Sequence, residues 1–92
     1  MGNEITQVET RHGYKVGQVA YVVPNDYNEV LKGIVTGFQK VGDFLPIIEC
    51  NHPFNKGEKF KNAYSLNRIS KTKTVTVVEW KLVNVKYKYD GE

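Results

Sequence analysis

The sequence predicts an all-β protein: one small barrel of five to six antiparallel strands with at most one short 3-10 or helical turn. Three observations carry that reading. Residues 71–89 are rich in β-branched and aromatic side chains and contain neither Gly nor Pro, a strand composition. Apolar residues elsewhere alternate at period two rather than at the helical period. Turn-forming residues such as Pro24-Asn25-Asp26, Gly42 and Asn55-Lys56-Gly57 separate the apolar runs. At 92 residues the chain supports one hydrophobic core, and so one domain.

The elements follow in order. Residues 1–12 offer only Ile5 and Val8 as aliphatic anchors and read as a flexible arm or a short edge strand. The barrel is expected over residues 13–89, with 90–92 as a tail. In its first strand Val19, Tyr21 and Val23 share one face, and Ala20 and Val22 the other. Residues 24–28 break the strand as a loop, with room for a single helical turn.

The second strand spans residues 30–39. Val30, Ile34 and Phe38 fall on one face, and Leu31, Gly33, Val35 and Gly37 on the other. Glycines inside a strand mark bulges or sharp coiling, and a bent strand is what a small barrel needs to close. A third strand covers residues 45–50, with Pro46 at its start or on an edge where a missing N–H is tolerated. Asn55-Lys56-Gly57 then forms a hairpin connection in which Gly57 supplies positive φ.

The fourth strand, residues 59–66, turns Phe60, Asn62, Tyr64 and Leu66 one way and Lys59 and Lys61 the other. Residues 67–70 suit one 3-10 turn. In the C-terminal run Val75 and Val77 share a face, and the apolar phase slips at 77/78 and again at 82/83. Each slip predicts a bulge, a bend or a turn, so the run is two strands or one strongly bent strand.

The stretch Tyr14-Lys15-Val16-Gly17-Gln18-Val19-Ala20-Tyr21-Val22 places a Gly-polar pair before an alternating strand. It resembles the first strand of SH3-like barrels, including their KOW-type relatives. Phe60-Lys61-Asn62-Ala63-Tyr64-Ser65-Leu66-Asn67-Arg68-Ile69 resembles their fourth strand and the 3-10 turn after it. The resemblance implies an SH3-like barrel and a binding role, without naming a partner, because such barrels serve many unrelated binding proteins. As a small basic β-rich chain, the protein is also similar to accessory proteins of bacterial viruses.

Charge supplies the functional signal. The net charge of +3 is uneven: residues 1–50 sum to −2 and residues 51–92 to +5. Between Lys56 and Lys73 lie Lys56, Lys59, Lys61, Arg68, Lys71 and Lys73, against Glu58 alone. Lysines contact phosphates as point charges, and aromatics such as Phe54, Tyr64, Trp80, Tyr87 and Tyr89 can stack on unpaired bases. These six cations are therefore expected to contact nucleic acid, another polyanion or an acidic protein surface. The plainer alternative is a solvated lysine face, since exposed Lys also keeps edge strands from aggregating. Large aromatics mostly bury, so Phe60, Tyr64 and Trp80 are expected in the core. With one arginine in the second half, base reading in a major groove is not expected.

A second reading is a protein-interaction module, an adaptor, inhibitor or regulatory subunit, that uses its C-terminal strand. Lys81, Lys86, Tyr87, Lys88 and Tyr89 would then meet the partner or a second copy of the chain.

Motifs for chemistry are sparse. Gly33-x-x-x-Gly37 lacks a following Lys-Ser/Thr and is no phosphate loop. Cys50 and His52 could share a face, but a structural zinc site wants four ligands and His12 is the only other candidate. A Cys50/His52 nucleophile pair would also need an oxyanion donor and a pocket. No catalytic residue, metal, cofactor or small-molecule substrate is expected. One cysteine, an opening stretch without a signal pattern, and no apolar run of about 18 residues point to a cytoplasmic chain without a membrane span.

Overall fold

A computed structural model of the chain describes residues 10–25, 28–40, 42–79 and 83–91. Those residues form strands, turns and a single 3-10 turn, so the protein is all-β. Strand β1 (Thr10–Arg11) pairs with β2 (Tyr14–Lys15) through a two-residue turn. His12 and Gly13 both have positive φ, 56° and 82°, as a type I′ hairpin turn demands. The hairpin thus straddles the boundary at which the ordered chain was expected to begin. His12 Nε2 hydrogen-bonds the Asp43 carbonyl at 2.6 Å, and the Arg11 guanidinium lies 4.0 Å from the Phe44 ring centroid. Both contacts tie the hairpin to the loop around Asp43 and Phe44.

The main sheet contains β3 (Val19–Val22), β4 (Leu31–Phe38), β5 (Pro46–Asn51) and β6 (Lys59–Ala63). After the 3-10 turn (Leu66–Arg68), the short β7 (Ile69–Ser70) returns to pair with β3. All pairings are antiparallel and the order is β6-β5-β4-β3-β7. The hydrogen-bonded sheet is open rather than closed, because β6 and β7 are its two ends. β7 is only two residues long and is spent on its pairing with Tyr21 and Val22.

From Ala20 onward β3 is buried on both faces, whereas Val19 at its start is exposed. Ala20 and Val22 enter a first core with Tyr14, Val35, Phe38, Ile48, Cys50, Tyr64 and Ile69. Tyr21 and Val23 enter a second core with Val30, Val75 and Val77. The first core gathers residues from both ends of the sheet order, so the sheet curls around it. The expected face assignment holds for β3. It fails in β4, where the register shifts between Val35 and Gly37. That bulge rotates Phe38 into the first core beside Val35, while Ile34, ahead of the bulge on the other face, is 41 % exposed. Gly33 has a separate role: a Cβ there would sit 2.5 Å from Ile48 Cγ2 and 2.8 Å from the Glu49 carbonyl. Only glycine lets β4 approach β5 so closely.

The C-terminal run is two strands, β8 (Thr74–Glu79) and β9 (Val83–Lys88), paired from Thr74–Lys88 to Glu79–Val83. The expected break at 77/78 is not a bulge, because the ladder runs through it without a register shift. Val78 simply continues the solvent face of Thr74 and Thr76 and is 45 % exposed. The second expected break, at 82/83, involves Leu82, which lies outside the described residues. On the other face Val75, Val77, Tyr87 and Tyr89 close the second core over β3. The Tyr89 N–H donates to the Lys73 carbonyl at 2.8 Å and fastens the open end of the ribbon.

Candidate functional site

The β5–β6 hairpin has a well-defined internal frame. His52 N–H donates to the Glu58 carbonyl at 2.8 Å, and Glu58 N–H donates to the Asn55 carbonyl at 3.0 Å. Gly57, at φ 88°, makes the reversal. The His52 ring completes the frame: its Nδ1 accepts the N–H groups of Phe54 and Asn55, both at 3.1 Å. Nδ1 is therefore the lone-pair nitrogen, and in the neutral ring the proton sits on Nε2. The Asn55 side-chain amide donates to Glu58 Oε1 at 2.9 Å, which occupies the one acid of this basic stretch inside the loop.

This frame lines up three rings. His52 meets Phe54 edge-on at 6.2 Å and Phe60 edge-on at 5.8 Å. The row runs from Phe54, 74 % exposed at the hairpin, to Phe60, which packs against the first core. Strand alternation then separates two functions along β6. Phe60 turns inward, while Lys59 and Lys61 stand exposed on the outer face opposite Asn51 and Glu49. Lys56, also exposed, sits at the hairpin.

Beside the inward side of β6 lies a groove of about 570 Å³. Rings of His52, Phe60 and Tyr64 and amides of Asn25, Gln39 and Asn62 line it. Its size falls within the range of about 300–1,000 Å³ usual for ligand sites. Asn25 and Gln39 come from other loops of the sheet, which is why strand patterning did not single them out. In the sequence His52 stands out only as a candidate metal or catalytic partner of Cys50. Its position between Asn51 and Pro53, at the start of a Gly-containing turn, is the one sequence trace of its role in the loop.

The six cations expected to act together divide into two sets. Lys56, Lys59 and Lys61 are exposed on one hairpin and its strand. Arg68 is half-buried and bonded into the fold: Nε donates to the Val23 carbonyl at 2.9 Å and Nη2 to the Pro24 carbonyl at 3.5 Å. Its own carbonyl accepts Val23 N–H at 2.9 Å. Lys71 places Nζ 5.3 Å from the Tyr14 ring centroid. Lys73 is exposed where the ribbon begins. In the sheet order the first set lies at the β6 end and the second follows the β7 end.

The C-terminal candidates divide as well. Lys86 and Lys88 are exposed, whereas Tyr87 and Tyr89 pack half-buried against the second core. The Tyr89 ring lies 5.3 Å from that of Tyr21, tilted by 51°. Lys81 and Trp80 lie outside the described residues.

Cys50 is 2 % exposed in the first core. Burial, and secondarily the Glu49 charge, push its thiol up to about 11, so it is not a thiolate at neutral pH. Among the described residues no group of three His, Cys, Asp or Glu side chains could hold a metal ion. No helix among them is long and apolar enough to cross a membrane. Compared with protein families, with curated proteins and with solved structures, the chain matches none.

Proposed function

We propose that this chain is a non-catalytic, intracellular binding domain of the SH3-like type whose Lys56, Lys59 and Lys61 contact nucleic acid. Four consecutive antiparallel strands, a 3-10 turn and a return strand beside the first support the SH3-like reading. The observation that carries the function is the exposure of three lysines on one internally hydrogen-bonded hairpin and its strand, with Glu58 held by Asn55. Cations so placed attract phosphates without any base-specific geometry. Arg68 and Lys71 contribute to the field, but their side chains are committed to Val23, Pro24 and Tyr14.

The test is binding of a fluorescent single-stranded oligonucleotide across a salt series. Three phosphate contacts predict a log–log slope of about −2 on single strands. No binding at about 50 mM salt, where even non-specific binders associate, would sink the reading.

A second reading rests on the ribbon. Val78 on the solvent face and Val83 on the other are 45 % and 54 % exposed near its far end, so an interaction module would offer that end, rather than one flat face, to a partner protein or a second copy. Lys86 lies on the Val78 face between that end and the opposite one, where Lys88 pairs with Thr74. A stoichiometric protein partner captured after nuclease treatment, and lost on Val78→Asp with Val83→Asp, would favour this reading.

A further inference from the structure

The geometry points to a site for an unpaired nucleobase at the β5–β6 hairpin, formed by the Phe54–His52–Phe60 ring row and the groove beside β6. The inference rests on the nucleic-acid reading above and adds what the lysines alone cannot supply, a preference for single strands.

Three features converge. First, Phe54 is 74 % exposed on a hairpin whose backbone is held by its own hydrogen bonds, and its ring meets His52 edge-on. Phe54 is not part of the first core. Every base offers a π-face to such a ring. Second, the groove that begins at His52 carries the amides of Asn25, Gln39 and Asn62. An amide presents both donor and acceptor, which suits the edge of a base more than a phosphate. Third, alternation along β6 puts Lys59 and Lys61 on the opposite side from Phe60. A chain lying along this edge strand could stack its bases on the ring side while its phosphates meet the lysines. The i to i+2 spacing of those lysines is about 6.8 Å, from the strand rise.

Duplex nucleic acid cannot use this arrangement, because its bases are already stacked and paired. The ligand class is therefore a single strand, with rings for the base faces and lysines for the backbone.

The experiment compares three probes: a single-stranded oligothymidylate, a duplex of the same length, and inorganic polyphosphate. Each is titrated against the wild type, Phe54→Ala, Asn62→Ala, and the Lys59→Gln/Lys61→Gln pair. Thermal melting confirms that each variant is folded, which Phe54→Ala should be because so little of that ring is buried. The expected result is tighter binding of the single strand than of the duplex by the wild type. Phe54→Ala should weaken the single strand by about five-fold or more and leave polyphosphate unchanged. The lysine pair should weaken all three probes. If the duplex binds as tightly as the single strand, or Phe54→Ala and Asn62→Ala bind it like the wild type, the base site is overturned while the lysine reading stands. If no probe binds, both readings fall together.

Discussion

The β6 hairpin and the segment from Arg68 to Lys73 each carry three cations within a short stretch, yet their roles differ. On the hairpin, Lys56, Lys59 and Lys61 are exposed on a backbone framed by His52 and Gly57. In the second segment, Arg68 bonds two carbonyls about 45 residues away and Lys71 caps an aromatic ring. A guanidinium that satisfies backbone carbonyls is part of the fold first. Equal charge in the sequence therefore need not mean an equal share in binding.

Breaking the second segment should give the larger effect on stability. Arg68→Ala removes the donors to Val23 and Pro24 and should lower unfolding free energy by about 1–3 kcal/mol, measured by denaturant titration. Its affinity for an oligonucleotide should change little. Breaking the hairpin should do the reverse. Lys59→Gln with Lys61→Gln should lower affinity roughly tenfold at low salt and alter stability by less than about 0.5 kcal/mol.

A smaller effect, confined to alkaline pH, is expected at Cys50. Its thiol moves from 9.0 to about 11 on folding, so the unfolded chain ionises first. The contribution is intact below 9.0 and is lost as pH rises through about 11. Tyr14, also raised by burial, acts in the same direction. Cys50→Ala should flatten the fall in stability over that window, and thiol labelling of the wild type should proceed at the rate of unfolding. The smallest change is expected from Lys71→Gln, which loses one exposed cation–π contact of about 0.5 kcal/mol.

Much of the sheet was legible because a half-buried strand must alternate. Val19 to Val23 showed both faces correctly, and Asn55-Lys56-Gly57 marked the hairpin. Gly37 signalled a bulge, but the sequence could not show that this bulge carries Phe38 to the other face. Nor could spacing show that the ribbon folds back over β3, which converts Tyr87 and Tyr89 from terminal surface into packing. The site was half legible. Its lysines stood out by charge, whereas Arg68 appeared equivalent to them because its carbonyl partners are remote in sequence. The groove was hidden for the same reason: Asn25, Gln39 and Asn62 meet only through the sheet.

The contrast between the two cation sets comes down to one measurement, the salt dependence of single-strand binding for wild type, Lys59→Gln/Lys61→Gln and Arg68→Ala. The hairpin pair should flatten the log–log slope by about 1.4, two contacts' worth, while Arg68→Ala leaves it unchanged. A slope that falls with Arg68→Ala and not with the hairpin pair would contradict the assignment.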